Sequence, residues 1–142
     1  MTHRIAFDAD VLIYAADRNH PLGTPVAAMF ETADSPGPIG VGSVLLLPEV
    51  LAKPMRDDPD SDETEALLSL LSRLDLRPVD EPTARLALSF AAKYGLRAAD
   101  ASHLAAAVVS GAEWFLTNNR NDFPKSIVEI DVVYPDELPG YS

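Results

Sequence analysis

Four carboxylates stand where this chain could do chemistry: Asp8, Glu49, Asp100 and Asp122. Asp8 follows the apolar Ile5, Ala6 and Phe7, and Glu49 is embedded in LLLPEVLA. Asp100 opens an alanine-rich stretch, and Asp122 lies in TNNRNDF. Taken singly, each has an ordinary explanation. Asp8 can cap a helix, Asp100 can complement a helix dipole, and Asp122 suits a turn. Glu49, amid apolar neighbours, must reach solvent or find a partner. Gathered in one place with no Arg or Lys to compensate, the four would repel one another, and such a cluster persists when a divalent cation sits among them. Oxygen-only ligation suits Mg²⁺ or Mn²⁺ rather than Zn²⁺, which favours His and Cys. A cation so held can activate water against a phosphodiester and stabilise the charge that develops.

Whether the four meet depends on the elements between them. Residues 4–8 predict a short buried strand, followed by a helical stretch from about Val11 to Ala16. PLGTPVAAMFETA suits a second helix, with Thr24 as N-cap and Pro25 in its first position. PIGVG (38–42) is a second strand bounded by prolines and glycines. SVLLLPEVLAKP becomes helical around Pro48; because a proline is tolerated only in a first turn, the helix either starts near Leu47 or kinks there, and Pro54 marks its end. Residues 62–75 form an amphipathic helix with Leu67, Leu70, Leu71 and Leu74 on one stripe. LRPVD (76–80) is a third strand, placed at an edge by Pro78. Asp80 caps the next helix, with Pro82 early in it and Gly95 just past its end. AADASHLAAAVVSG is a helix of small residues, EWFLT (113–117) a fourth strand, and IVEIDVVYP (127–135) contains a fifth. This alternation indicates an α/β fold with a mainly parallel sheet and helices on both faces. Ligand sites in such sheets lie beyond the carboxyl ends of the strands, and all four acids are expected there.

Composition narrows the function further. A chain of 142 residues, 47% of them hydrophobic, fits one domain with a proper core. With no cysteine there is no disulfide, thiolate ligand or thiol nucleophile. The apolar stretch at the N-terminus is short and broken by Asp8 and Asp10, unlike a signal peptide, and no run is long enough to span a bilayer. A cytoplasmic protein with no membrane association is therefore expected. The formal charge of -11 repels phosphate backbones and attracts cations or basic partners, which argues against tight non-specific nucleic-acid binding. Part of the acidic excess lies between Asp57 and Glu65, a solvated loop leading into a helix.

The stretches IAFDADVLIYA, SVLLLPEVL, YGLRAADASHLAAAV and FLTNNRNDF, in this order between residues 5 and 123, resemble the PIN-domain family. The resemblance is strongest to the ribonuclease toxins of VapC-type toxin–antitoxin pairs. It implies an α/β/α sandwich with a five-stranded sheet, a single PIN-like domain over 1–142, and a Mg²⁺- or Mn²⁺-dependent endoribonuclease site. Asp8 matches the family's first acidic position, Glu49 the second and Asp100 the third. TNNRNDF matches the final motif, where Thr117 helps position water or phosphate. Asn119 stands where many members carry an acid, which leaves Asp122 as the fourth carboxylate, acting through water. Asp10 replaces a more usual Asn or Ser and is assigned a site-lining role. Pro48 beside Glu49 is a further departure; if it opens the helix, Glu49 stays near the positive helix end. The resemblance also implies an RNA substrate, a homodimer, and a cognate antitoxin that inserts an apolar helix and an Arg near the acids.

Other residues carry weaker signals. His103 lies three positions after Asp100 on the same helix; a general-base role is conceivable, but a satisfied or exposed histidine is the expected reading. Arg97 and Arg120 can meet RNA phosphate or a neighbouring carboxylate. Trp114 and Phe115 are expected in the core or an interface. Two alternatives compete. FDADVL offers the DxD of a haloacid-dehalogenase-like phosphatase, but the following residues do not fit and the chain is short for that fold. A non-catalytic PIN module for binding is the other, motivated by the negative charge and Asn119.

Overall fold

The computed structural model describes residues 3–33 and 36–139. In chain order these residues form β1 (Ile5–Phe7), α1 (Ala9–Ala16), α2 (Gly23–Glu31), β2 (Gly40–Ser43), α3 (Leu46–Asp57) and α4 (Asp62–Ser72). Then follow β3 (Leu74–Arg77), α5 (Glu81–Tyr94), α6 (Ala98–Val109), β4 (Trp114–Leu116), β5 (Asp131–Val133) and a 3₁₀ turn at Pro135–Glu137. The five strands make one sheet in the order β3-β2-β1-β4-β5, and every pairing is parallel.

Alternation along the central strands separates two cores. Ile5 and Phe7 point to one face with Leu116, while Ala6 points to the other with Val41 and Phe115. On the first face α1 to α4 contribute Leu12, Phe30, Leu46 and Leu67. On the second α5 and α6 contribute Phe90, Leu104 and Ala105. The result is an α/β/α sandwich, as expected. α6 approaches the sheet closely because its inward residues are Ala101, Leu104 and Ala105, each almost fully buried.

Local signals placed most boundaries. Asp80 caps α5 by accepting from the Thr83 amide at 3.1 Å, and Gly95 ends it with φ 68°, a left-handed conformation that glycine adopts without a Cβ penalty. Ser61 caps α4, with Asp62, Glu63 and Glu65 in the first turn at the positive helix end.

Three expectations fail. Thr24 does not cap α2; the helix already starts at Gly23, preceded by Leu22. Pro54 lies inside α3, which runs on to Asp57; in this exposed last stretch the missing amide costs little, and the Pro54 carbonyl still accepts from Asp58 at 2.8 Å. Leu74 belongs to β3 rather than to the stripe of α4, which buries Leu67 and Leu71. β3 is nevertheless an edge strand, with Pro78 just beyond it.

The start of α2 is fixed by tertiary contact. A Cβ on Gly23 would lie 1.9 Å from the backbone oxygen of Tyr14, so α1 and α2 cross at a point where only glycine fits. Gly23→Ala must force the two helices apart, and we expect a loss of about 1–3 kcal/mol in urea unfolding. A change below about 0.5 kcal/mol would mean that the crossing yields freely.

Candidate functional site

Parallel strands deliver their carboxyl ends to one edge, and the candidate residues collect there. Asp8 directly follows β1, and its amide donates to the Leu116 carbonyl at 2.9 Å, which extends the β1–β4 ladder by one residue. Its side chain is the N-cap of α1: Oδ1 accepts from the Ala9 amide at 2.8 Å. Oδ2 accepts from the Thr117 hydroxyl, also at 2.8 Å, just past β4. Thr117 is fully buried, and its oxygen accepts in turn from the Asn119 amide at 3.1 Å. One hydroxyl thus ties Asp8 to the loop after β4. Thr117→Val keeps the shape but leaves the Asn119 amide without its acceptor; we expect a loss of about 1–3 kcal/mol in denaturant unfolding, with Thr117→Ser close to wild type.

Glu49 lies in the first turn of α3, where Pro48 is tolerated because an early helical amide has no intrahelical partner. Its Oε2 meets His103 Nε2 of α6 at 2.6 Å. The histidine side chain is 1% exposed, the glutamate 37%. Ligand atoms of Asp8, Glu49 and His103 all lie within 4.8 Å of one another. His103 is therefore the residue that sequence reasoning undervalued. Its signal was present: a polar ring on the alanine-lined, inward face of a helix must find a partner. It also gives Glu49 the hydrogen-bond partner that no Arg or Lys supplies.

Asp100, Asp122 and Asp10 stand around this trio without joining its tightest grouping. Asp100, half-buried in the first turn of α6, has its carboxyl raised by burial and then by the charges of Asp8, Asp122 and Glu49. Asp122 folds back on Asn119: its Oδ2 accepts from the Asn119 side-chain amide at 2.9 Å, and its backbone amide donates to Asn119 Oδ1 at 3.3 Å. Asp10 Oδ2 accepts from the Asn118 amide at 3.0 Å, while its Oδ1 is buried without a hydrogen-bond partner. Burial and the neighbouring Asp8 push the Asp10 carboxyl up to about 7. Asp8 is raised as well, chiefly by burial, against the lowering influence of His103, Thr117 and Ala9. Burial pulls the His103 ring down, but its hydrogen bond to Glu49 and the charges of Asp8, Glu49 and Asp100 outweigh it and raise its pKa.

Negative charge is thus crowded into a half-buried edge. Among the described residues, no Lys or Arg pairs with Asp8, Asp10, Glu49, Asp100 or Asp122. Arg120 turns instead to Asp136 at 2.8 Å and lies over the Tyr134 ring. The orphaned Asp10 oxygen, the raised carboxyls and a donor set of carboxylate oxygens with one imidazole suit a hard or borderline divalent cation.

Comparison with known proteins bears on family and fold. The family model described as PIN domain matches residues 5–126. No curated protein matches the chain significantly. Among solved structures, a toxin-antitoxin complex from Klebsiella pneumoniae superposes with TM-score 0.70 at 22% identity, over 93% of this chain and 97% of that one. The VapBC2 complex of Rickettsia felis, bound to a DNA fragment from its promoter, superposes with TM-score 0.69 at 14% identity, over 92% and 97% of the respective chains. At such identities the structural likeness speaks for the fold. The family match extends over most of the sequence, through Asp8, Glu49, Asp100 and Asp122, and the chain belongs to the PIN domain family.

Proposed function

We propose that this protein is a Mg²⁺- or Mn²⁺-dependent endoribonuclease acting as the toxin of a toxin–antitoxin pair. The observation that carries the reading is the convergence of Asp8, Glu49 and His103 within 4.8 Å at the carboxyl edge of the sheet, ringed by Asp10, Asp100 and Asp122. Asp8, Glu49 and Asp100 would hold the cation; Asp122 braces the loop after β4 through Asn119 and contributes its charge from there. When bound, the cation neutralises phosphate charge and makes water acidic enough to attack at neutral pH. Thr117 keeps one Asp8 oxygen oriented, which leaves the cluster preformed rather than assembled by substrate. Arg97, exposed at the N-cap of α6 and three residues before Asp100, is placed to meet a phosphate.

The partner proposal starts from the relatives described as toxin–antitoxin complexes. It gains support from charge. A groove of about 880 Å³ between α1 and α4 combines Ile13, Ala16 and Ala66 with four acids, Asp17, Asp62, Glu63 and Glu65, and one base, Arg18. Such a surface suits an apolar helix with basic flanks. Self-association as a homodimer and residence in the cytoplasm belong to the same proposal; among the described residues, no helix is long and apolar enough to cross a membrane.

The test is removal and return of metal. Protein stripped with chelator and freed of any co-purifying partner should leave a mixed RNA pool intact. Mg²⁺ or Mn²⁺ should restore cleavage, and Ca²⁺, which activates water poorly, should not. Cleavage that persists in excess chelator, or no cleavage with any divalent ion, would overturn the reading.

A further inference from the structure

We propose that His103 is a positioning residue that aims Glu49 at the cation, an inference that rests on the cation site proposed above. Glu49 reaches the cluster from α3 on a long side chain that is 37% exposed, so on its own it would sample many rotamers in water. His103 reaches it from α6, on the opposite side of the sheet edge. The ring is 1% exposed and flanked on its helix by the buried Ala101, Leu104, Ala105 and Ala106, so it has little freedom to move. Its Nε2 lies 2.6 Å from Glu49 Oε2. An ionised carboxylate cannot donate, so the proton in that bond sits on Nε2. The clamp therefore works in the neutral tautomer and in the imidazolium alike. It takes one oxygen of Glu49, Oε2, and leaves Oε1 for a ligand, in a side chain already grouped with Asp8 within 4.8 Å.

Direct ligation by His103 is a different arrangement. Through Nε2 it would require the ring to give up its proton and release Glu49; through Nδ1, which is buried without a hydrogen-bond partner, it would require that nitrogen to turn to the cation. The anchored ring instead plays the part of an outer partner that orients a ligating carboxylate, whose loss usually weakens metal affinity by about 10–100-fold.

The experiment reads metal affinity, not cleavage. Mn²⁺ binding to the full chain is followed by the electron paramagnetic resonance of the free ion, for wild type, His103→Leu, His103→Gln and Glu49→Ala, and for His103→Leu combined with Glu49→Ala. We expect His103→Leu to weaken Mn²⁺ by about 10–100-fold, and His103→Gln, which keeps an N–H donor, to recover part of that. In the Glu49→Ala background His103→Leu should cost nothing more. Unchanged affinity in a cooperatively melting His103→Leu protein would overturn the proposal, as would an equal loss with and without Glu49. A second measurement needs no variant: proton–nitrogen correlation of the wild-type imidazole during Mg²⁺ titration should show Nε2 still protonated at saturation. Loss of that proton, or a coordination shift at Nδ1, would mean direct ligation and overturn the positioning role. If wild type binds no Mn²⁺ at all, the nuclease reading falls as well. If wild type binds and His103→Leu binds equally, only the inference about His103 falls.

Discussion

Asp8→Asn is expected to lower metal-dependent RNA cleavage by about a thousandfold or more, beyond the 10–100-fold typical of an outer partner. Asp8 is the residue on which the site converges: it ends the central strand, caps α1, takes the Thr117 hydroxyl, and lies against Glu49 and His103. Asparagine retains an oxygen for the Ala9 amide or the Thr117 hydroxyl, so the local structure should survive. What is lost is the charge that a divalent cation needs. Because burial already raises the Asp8 carboxyl, the charged form strains the cation-free fold, and the variant should unfold at equal or higher denaturant than wild type. Assays of cleavage, Mn²⁺ affinity and urea unfolding on the same preparation separate the possibilities. Full cleavage in a well-folded Asp8→Asn protein would remove Asp8 from the chemistry.

The second large effect concerns the cation-free protein and pH. Asp10 has a folded-state pKa of about 7 against an ordinary 3.8. Between those values the folded chain binds more protons than the unfolded one, so stability must fall as pH rises through that window. His103 acts in the same direction over a higher range. Its raised pKa contributes stability that is full below the ordinary value of 6.5 and is lost as pH climbs through the folded value. Stripped of metal, the protein should lose about 2–4 kcal/mol between pH 5 and pH 8. Saturating Mg²⁺ should flatten the profile, since the cation takes over the neutralising role of the protons. Asp10→Asn should make it shallower without metal. Equilibrium unfolding across that range checks all three, and stability that rises from pH 5 to pH 8 in chelator would contradict the crowding of charge described here. Below about pH 4 the trend should reverse, because the lowered carboxyls of Glu129 and Glu137 then lose their Lys93 and Lys125 partners.

Sequence reading did well where the determining physics is local. Asp80, Pro82 and Gly95 bracket α5 within one turn at each end; β3 is an edge strand as expected, but it runs over Leu74–Arg77 rather than 76–80 and leaves Pro78 outside it. The strand-end rule placed Asp8 at the edge where the structure has it, while Thr117 entered only through the family resemblance. It did less well where a distant segment decides. α2 begins at Gly23 because Tyr14 presses on it from another helix, a contact that overrides the capping preference of Thr24. His103 meets Glu49 across 54 residues of sequence, and helical spacing relates it only to Asp100. Asp122 and Asn119 were read as rivals for one role; they are hydrogen-bonded to each other.

The position of β1 has a consequence for how the molecule comes into being. It lies between β2 and β4, so one neighbour emerges soon after it and the other only near residue 114. The bond between Thr117 and Asp8 closes a loop of 109 residues, a late and entropically costly event in folding. During synthesis the first four helices can gather on β1 and β2 while its other side stays unpaired. Until β4 docks, neither Thr117 nor the loop behind it faces Asp8. A ribosome translating this message therefore carries an incomplete acidic edge for most of the chain, and the cluster forms only once the last third of the sequence has emerged.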